Sequence, residues 1–166
     1  PLFKRETKDA RFIFNEETSQ LEVIEPSSAG RELDLDATVA AIQAAAPTAG
    51  HRVPFTFQVT QPKYHDDVTA AELGITELLT SQTTYFSNAS VARSTNIKVA
   101  ASRFVGIIIA PGEEFSFNKY LGDVSLDTGY AEALIIYDGR TIQGVGGGVC
   151  QVSTTMYRAS FMAGFP

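Results

Sequence analysis

GVGGGVCQVSTTMYRASFMAG, residues 144–164, decides how the second half of this 166-residue chain is read. Gly146, Gly147 and Gly148 allow backbone conformations and close approaches that a β-carbon forbids. From Val149 onward the spacing is helical. Val152, Met156, Ala159 and Ala163 share one face, and Gly164 is a stop. Cys150, the single cysteine, therefore falls in or beside the first helical turn. Unpaired N–H groups and the positive end of the helix dipole favour a thiolate there. The same N–H groups, with those of the glycine loop, suit an anion or oxyanion. Gln151, Ser153, Thr154 and Thr155 follow as a polar set. A reactive thiol and a small buried hydrophobe are both open readings of Cys150.

Upstream of that stretch, Ala131–Tyr137 reads as a strand, and Asp138-Gly139 is a two-residue hairpin turn into Arg140–Gln143. Lys119–Thr128 reads as a loop. Phe115-Ser116-Phe117-Asn118 alternates, with Glu114, Ser116 and Asn118 on one face. Gly106–Ala110 is an apolar run of strand length closed by Pro111-Gly112. Val91–Phe104 reads as a helix behind the cap Asn88-Ala89-Ser90, with Ile97, Ala100, Ala101 and Phe104 facing a core. Thr83–Phe86 is β-prone.

The first half has its own organisation. ARFIFN (10–15) and QLEVIE (20–25) flank a polar turn and predict a hairpin. An extended stretch, Arg31–Leu33, leads to a helix starting at Asp34 or Asp36, with Val39, Ile42 and Ala46 on one face and Pro47 and Gly50 closing it. Val53–Thr60 alternates as a half-buried strand, and HDDVTAAELG predicts a short helix capped near Asp66 or Asp67 and ended by Gly74. The expected class is α+β: a small N-terminal α+β domain over 1–76, then a mixed α/β domain over 77–166, incomplete at its C-terminus. The start PLFKRETKDA and the end at Pro166 read as the limits of a fragment.

Composition narrows the function. Net charge is −6. Residues 1–76 carry seven Lys/Arg against twelve Asp/Glu, and residues 77–166 six against seven. No basic patch supports a nucleic-acid partner or an anionic membrane surface. One cysteine excludes an internal disulfide and a Cys-rich zinc site, and His51 and His65 show no ligand spacing, so no metal or cofactor is expected. No run is long enough to span a bilayer, so any membrane attachment is expected through segments outside this chain.

Arg93 with Asn96-Ile97, IIIAPGEEFSFN (107–118), Gly129-Tyr130 and above all GGGVCQVSTTMY (146–157) closely resemble the VanW family, named after an accessory protein of vancomycin-resistance gene clusters. The likeness covers about residues 77–166. RFIFNEETSQLEVIEPSSAG, the GRELD–helix step and QPKYHDDVTAAELGI resemble the peptidoglycan-binding domain found ahead of some bacterial L,D-transpeptidase and VanW-like domains. A generic α+β domain that positions the next one is the alternative. The resemblance implies an extracytoplasmic bacterial cell-envelope protein linked to peptidoglycan or its stem peptides. VanW-like domains usually continue into a segment containing histidine, whereas this chain stops at Pro166.

Three functions follow as expectations. One is peptidoglycan association in cell-wall maintenance or glycopeptide resistance. In the second, Cys150 is the nucleophile of an amide hydrolase or acyltransferase, with Glu113, Glu114 or Asp123 as orienting carboxylates; whether the chain is an enzyme is open. In the third, Cys150 serves packing in a scaffold. The expected binding residues are Gly146, Gly147, Gly148, Gln151, Ser153, Thr154, Arg93, Asn96 and Glu114.

Overall fold

A computed structural model describes residues 3–47, 50 and 52–165. His51 lies outside them. The chain divides into two units, Pro1–Ile75 and Thr76–Pro166, built from helices and three two-stranded antiparallel sheets. The class is α+β.

In the first unit, β1 (Arg11–Asn15) and β2 (Gln20–Glu25) form the expected hairpin, and Ala10 and Phe12 are buried beneath it. β3 (Gly30–Leu33) pairs with β4 (Phe57–Thr60). Between them, Asp34 caps α1 (Leu35–Ala45), its carboxylate accepting the Ala37 N–H at 2.9 Å. Val39 and Ile42, expected to face a core, are 51% and 50% exposed, and Ala46 is exposed too; the inward side is Ala37, Thr38 and Ala41. In a helix this rich in alanine, the small-residue side allows the closer approach and wins.

β4 is shorter than the expected Val53–Thr60, because β3 offers only four partners and Pro54 has no N–H for a ladder. The expected helix after Asp66 is a single capped turn. The Glu72 carboxylate accepts the Thr69 N–H at 2.8 Å and the Thr69 hydroxyl accepts the Glu72 N–H at 3.3 Å. Gly74, at φ +70, closes it as the Ile75 N–H reaches the Ala70 carbonyl. Asp66 does not cap that turn; it accepts the Ser27 N–H at 2.6 Å.

The second unit contains α2 (Val91–Ser102), α3 (Phe117–Leu121), β5 (Glu132–Tyr137), β6 (Arg140–Val145) and α4 (Val149–Met162). Its core joins Ile97 and Ala100 of α2, Leu121, Tyr130 and Val152 of α4. Phe104 stacks on Phe117 at 4.6 Å beside it. Ala101, expected in this core, is exposed. Asp138 (φ 49) and Gly139 (φ 70) make the β5–β6 turn with both residues left-handed, as a tight hairpin requires.

Three extended expectations fail. Thr83–Phe86 and Gly106–Ala110 join no sheet, and Phe117-Asn118 begins α3, capped by the Ser116 hydroxyl. β-propensity records fit to a pleated partner, and these segments have none.

Four carboxylates of the first unit are held below their ordinary pKa. Glu25 is lowered chiefly by hydrogen bonding to Lys8, Asp34 by the Ala37 N–H, Asp66 by the Ser27 N–H and Glu72 by the Thr69 N–H. A carboxylate depressed in the folded state contributes stability above its unfolded pKa and loses it as pH falls through the folded value. The expected outcome is a falling melting temperature of first-unit resonances as pH drops from about 6 to about 3, with a weaker dependence in Asp34→Asn. NMR-monitored melts check it.

Candidate functional site

β6 delivers the chain into the glycine loop, and the loop is a packing joint. Gly146, Gly147 and Gly148 are all buried. A β-carbon on Gly147 would lie 2.5 Å from the Leu134 carbonyl oxygen and 2.9 Å from the Ala133 Cβ. One on Gly148, at φ +120, would lie 2.9 Å from Ile97 Cγ1 and 3.2 Å from Arg93 Cγ. The contacts under 3 Å at both positions are closed to a β-carbon, so Gly147 and Gly148 let α4 and β5 close on α2.

Asn96 locks that joint. Its side chain is 0% exposed. Nδ2 donates to the carbonyls of Ala131 (2.9 Å) and Gly147 (3.0 Å), and Oδ1 accepts the Ala131 N–H at 2.7 Å. Its amide hydrogens are thereby committed to backbone carbonyls. Around the glycines, the Gly146 N–H donates to the Ala131 carbonyl, and the carbonyls of Gly146 and Gly148 accept the Val149 and Gln151 N–H groups. All four of these expected binding residues are buried at the joint between α2, β5 and α4.

Arg93 and Gln151 do come together, at 3.3 Å between Nη2 and Oε1. Gln151 Nε2 donates to the Thr84 hydroxyl (3.2 Å) and the Tyr85 carbonyl (3.0 Å). Thr84 in turn lies 2.6 Å from the Thr155 hydroxyl. This network holds segment 82–86 against α4 without a ladder. Two pockets flank it and share Phe86 and Gln151 as a common wall. One, of about 390 Å³, is mainly apolar, with Ile97, Phe104, Val152 and Met156 in its lining. The other, of about 650 Å³, takes in Ser87, Asn88, Ser90, Arg93 and Leu134. Thr155 belongs to the polar set read from the sequence, whereas Thr84 and Ser90 escaped sequence reasoning as site residues. The spacing of Gln151 and Thr155, one helical turn apart, was the available signal.

Cys150 is exposed on the second residue of α4, which removes the packing reading. It lines neither pocket, and among the described residues no side chain hydrogen-bonds its sulfur. Ser153 is half-buried. Thr154 turns its hydroxyl onto the Cys150 carbonyl at 2.9 Å, along its own helix. Glu114 and Asp123 are exposed, and Glu113 closes its own turn on the Ala110 N–H. None is joined to Cys150. Among the described residues no cluster of His, Cys, Asp or Glu could hold a metal, and no helix is long and apolar enough to cross a membrane.

Residues 92–166 match the family model described as VanW like protein. The uncharacterized protein YoaR of Bacillus subtilis is 40% identical over 89 residues, covering 54% of this chain and 29% of that protein. The vancomycin B-type resistance protein VanW of Enterococcus faecalis is 37% identical over 62 residues, 37% of this chain and 22% of that protein. The chain thus spans less than a third of either relative. The VanW-like resemblance is supported for this region. No solved structure matches the chain significantly.

Two outcomes follow. Asn96→Leu leaves the Ala131 N–H and the buried Gly147 carbonyl without their Asn96 partner, takes one of two hydrogen bonds from the Ala131 carbonyl, and costs about 2–5 kcal/mol in the second unit, read by chemical denaturation. Cys150→Ser changes stability by less than about 0.5 kcal/mol, because the sulfur is exposed, and native Cys150 reacts with iodoacetamide at the rate of an accessible thiol.

Proposed function

We propose that this chain is part of an extracytoplasmic cell-envelope protein that associates with peptidoglycan or its stem peptides, in a cell-wall or glycopeptide-resistance role. The observation that carries the reading is the pocket of about 650 Å³ in the VanW-like region, with Arg93 in its wall and hydroxyls and amides around it. One cation amid neutral polar groups suits a peptide or sugar better than a polyanion. A relative named for vancomycin resistance supports the cell-wall context. The first unit is read as the accompanying peptidoglycan-binding domain, on the strength of its sequence resemblance. Its exposed Phe55, against the edge of Phe3 at 5.4 Å, offers an apolar surface for a sugar ring.

The alternative, a cysteine-dependent amide hydrolase or acyltransferase, draws on the exposed sulfur at the start of α4. A thiol needs a base or a charged neighbour to become a nucleophile, and no described group hydrogen-bonds to it. Binding is therefore the reading carried forward.

Co-sedimentation with purified peptidoglycan tests it. The chain is expected in the pellet, and Cys150→Ser is expected to pellet as well as the native protein. Recovery of the native chain in the supernatant, at the level of a non-binding control protein, overturns the reading.

A further inference from the structure

Arg93 carries a charge that the structure leaves unanswered. Its residue is half-buried, its one described side-chain hydrogen bond goes to the neutral Gln151 amide, and it pairs with no carboxylate among the described residues. Removing a guanidinium from water without an opposite charge is costly, and the cost is recovered when an anion enters the pocket the guanidinium lines. Gln151 is already spent on Thr84 and Tyr85, so it acts as a brace that orients the guanidinium. The remaining N–H groups of the guanidinium fork are available to a ligand. The Ser90 hydroxyl accepts the Arg93 N–H at 3.2 Å, which leaves its own proton to donate.

We infer that this pocket binds the free terminal carboxylate of a short peptide, with Arg93 as the carboxylate-binding residue. Among the described residues, no second cation lines the pocket. One guanidinium matches a carboxylate in charge and in fork geometry, whereas a phosphate dianion would stay half-neutralised. Exposed Tyr85 and Leu134 at its margin offer apolar contact for the terminal side chain, and its volume falls in the range of small-ligand sites. The inference rests on the peptidoglycan reading only for the biological source of such a peptide.

The test titrates the full chain with N-acetyl-alanyl-alanine, its C-terminal amide and inorganic phosphate, following backbone amide resonances. The acid is expected to shift Ser87, Asn88, Ser90, Leu134 and Gln151, and the amide to bind at least about tenfold more weakly, as loss of one charge-assisted hydrogen-bonded pair implies. Arg93→Met, which keeps the aliphatic stem against Gly148, is expected to bind acid and amide alike. Equal binding of acid and amide by the native chain, displacement of the acid by an equal concentration of phosphate, or no shift at all overturns the inference. The native comparison decides even where Arg93→Met fails to fold. Sedimentation with peptidoglycan alongside equal binding of acid and amide sinks this inference alone. Discrimination without sedimentation sinks the peptidoglycan reading and leaves the carboxylate site standing.

Discussion

One buried side-chain amide, that of Asn96, holds the second unit in register. Its oxygen and nitrogen bond the backbone of Ala131, where β5 begins, and its nitrogen also bonds Gly147, just ahead of α4. Three elements that are distant in sequence thus meet on one group of α2. In a low-dielectric interior such bonds are stronger than in water, and breaking them leaves the Gly147 carbonyl and the Ala131 N–H without the Asn96 side chain that holds them. The arrangement therefore tolerates little slippage, and it forces the glycines. With β5 and α2 fixed so near the loop, Gly147 and Gly148 have no room for a side chain.

That constraint decides which groups reach solvent. A glycine loop ahead of a helix invites an anion-cradle reading, but here its three glycines are buried, with the Gly146 N–H on the Ala131 carbonyl and the Gly147 carbonyl on Asn96. What the joint presents to solvent is the neighbouring end of α2. There Arg93, braced by Gln151, borders a pocket bounded by segment 85–90. Cys150 is carried along on the outer side of α4. The same clamp thus buries the loop and leaves a charged side chain at the rim of the pocket.

Much of the fold was legible from local chemistry. The ARFIFN and QLEVIE strands, the Asp138-Gly139 turn, the Ser90 and Asp34 caps and the α4 stripe all follow from short-range rules, and each is present. The misses share a cause: they depended on partners the sequence does not name. Thr83–Phe86 and Gly106–Ala110 have strand-like residues but no strand to pair with. Val39 and Ile42 read as a core face until the small-residue side of α1 proved the closer fit. Asn96 was the costliest case. A polar residue on a helix is usually solvated, and only the three-dimensional meeting of α2, β5 and the loop reveals it as the most buried large side chain. Arg93, taken up through the family resemblance, and Gln151, taken up as a donor beside the helix start, are brought within 3.3 Å of each other.

The most direct measurement of this clamp is native-state hydrogen exchange. The Ala131 amide, donated to Asn96, and the Gly146 amide, donated to the Ala131 carbonyl, are expected to exchange as slowly as the core amides of α2 around Ala100, through global unfolding of the unit only. Exchange of Ala131 and Gly146 at the rate of the exposed β5–β6 turn would show that the joint opens on its own, and would contradict the account.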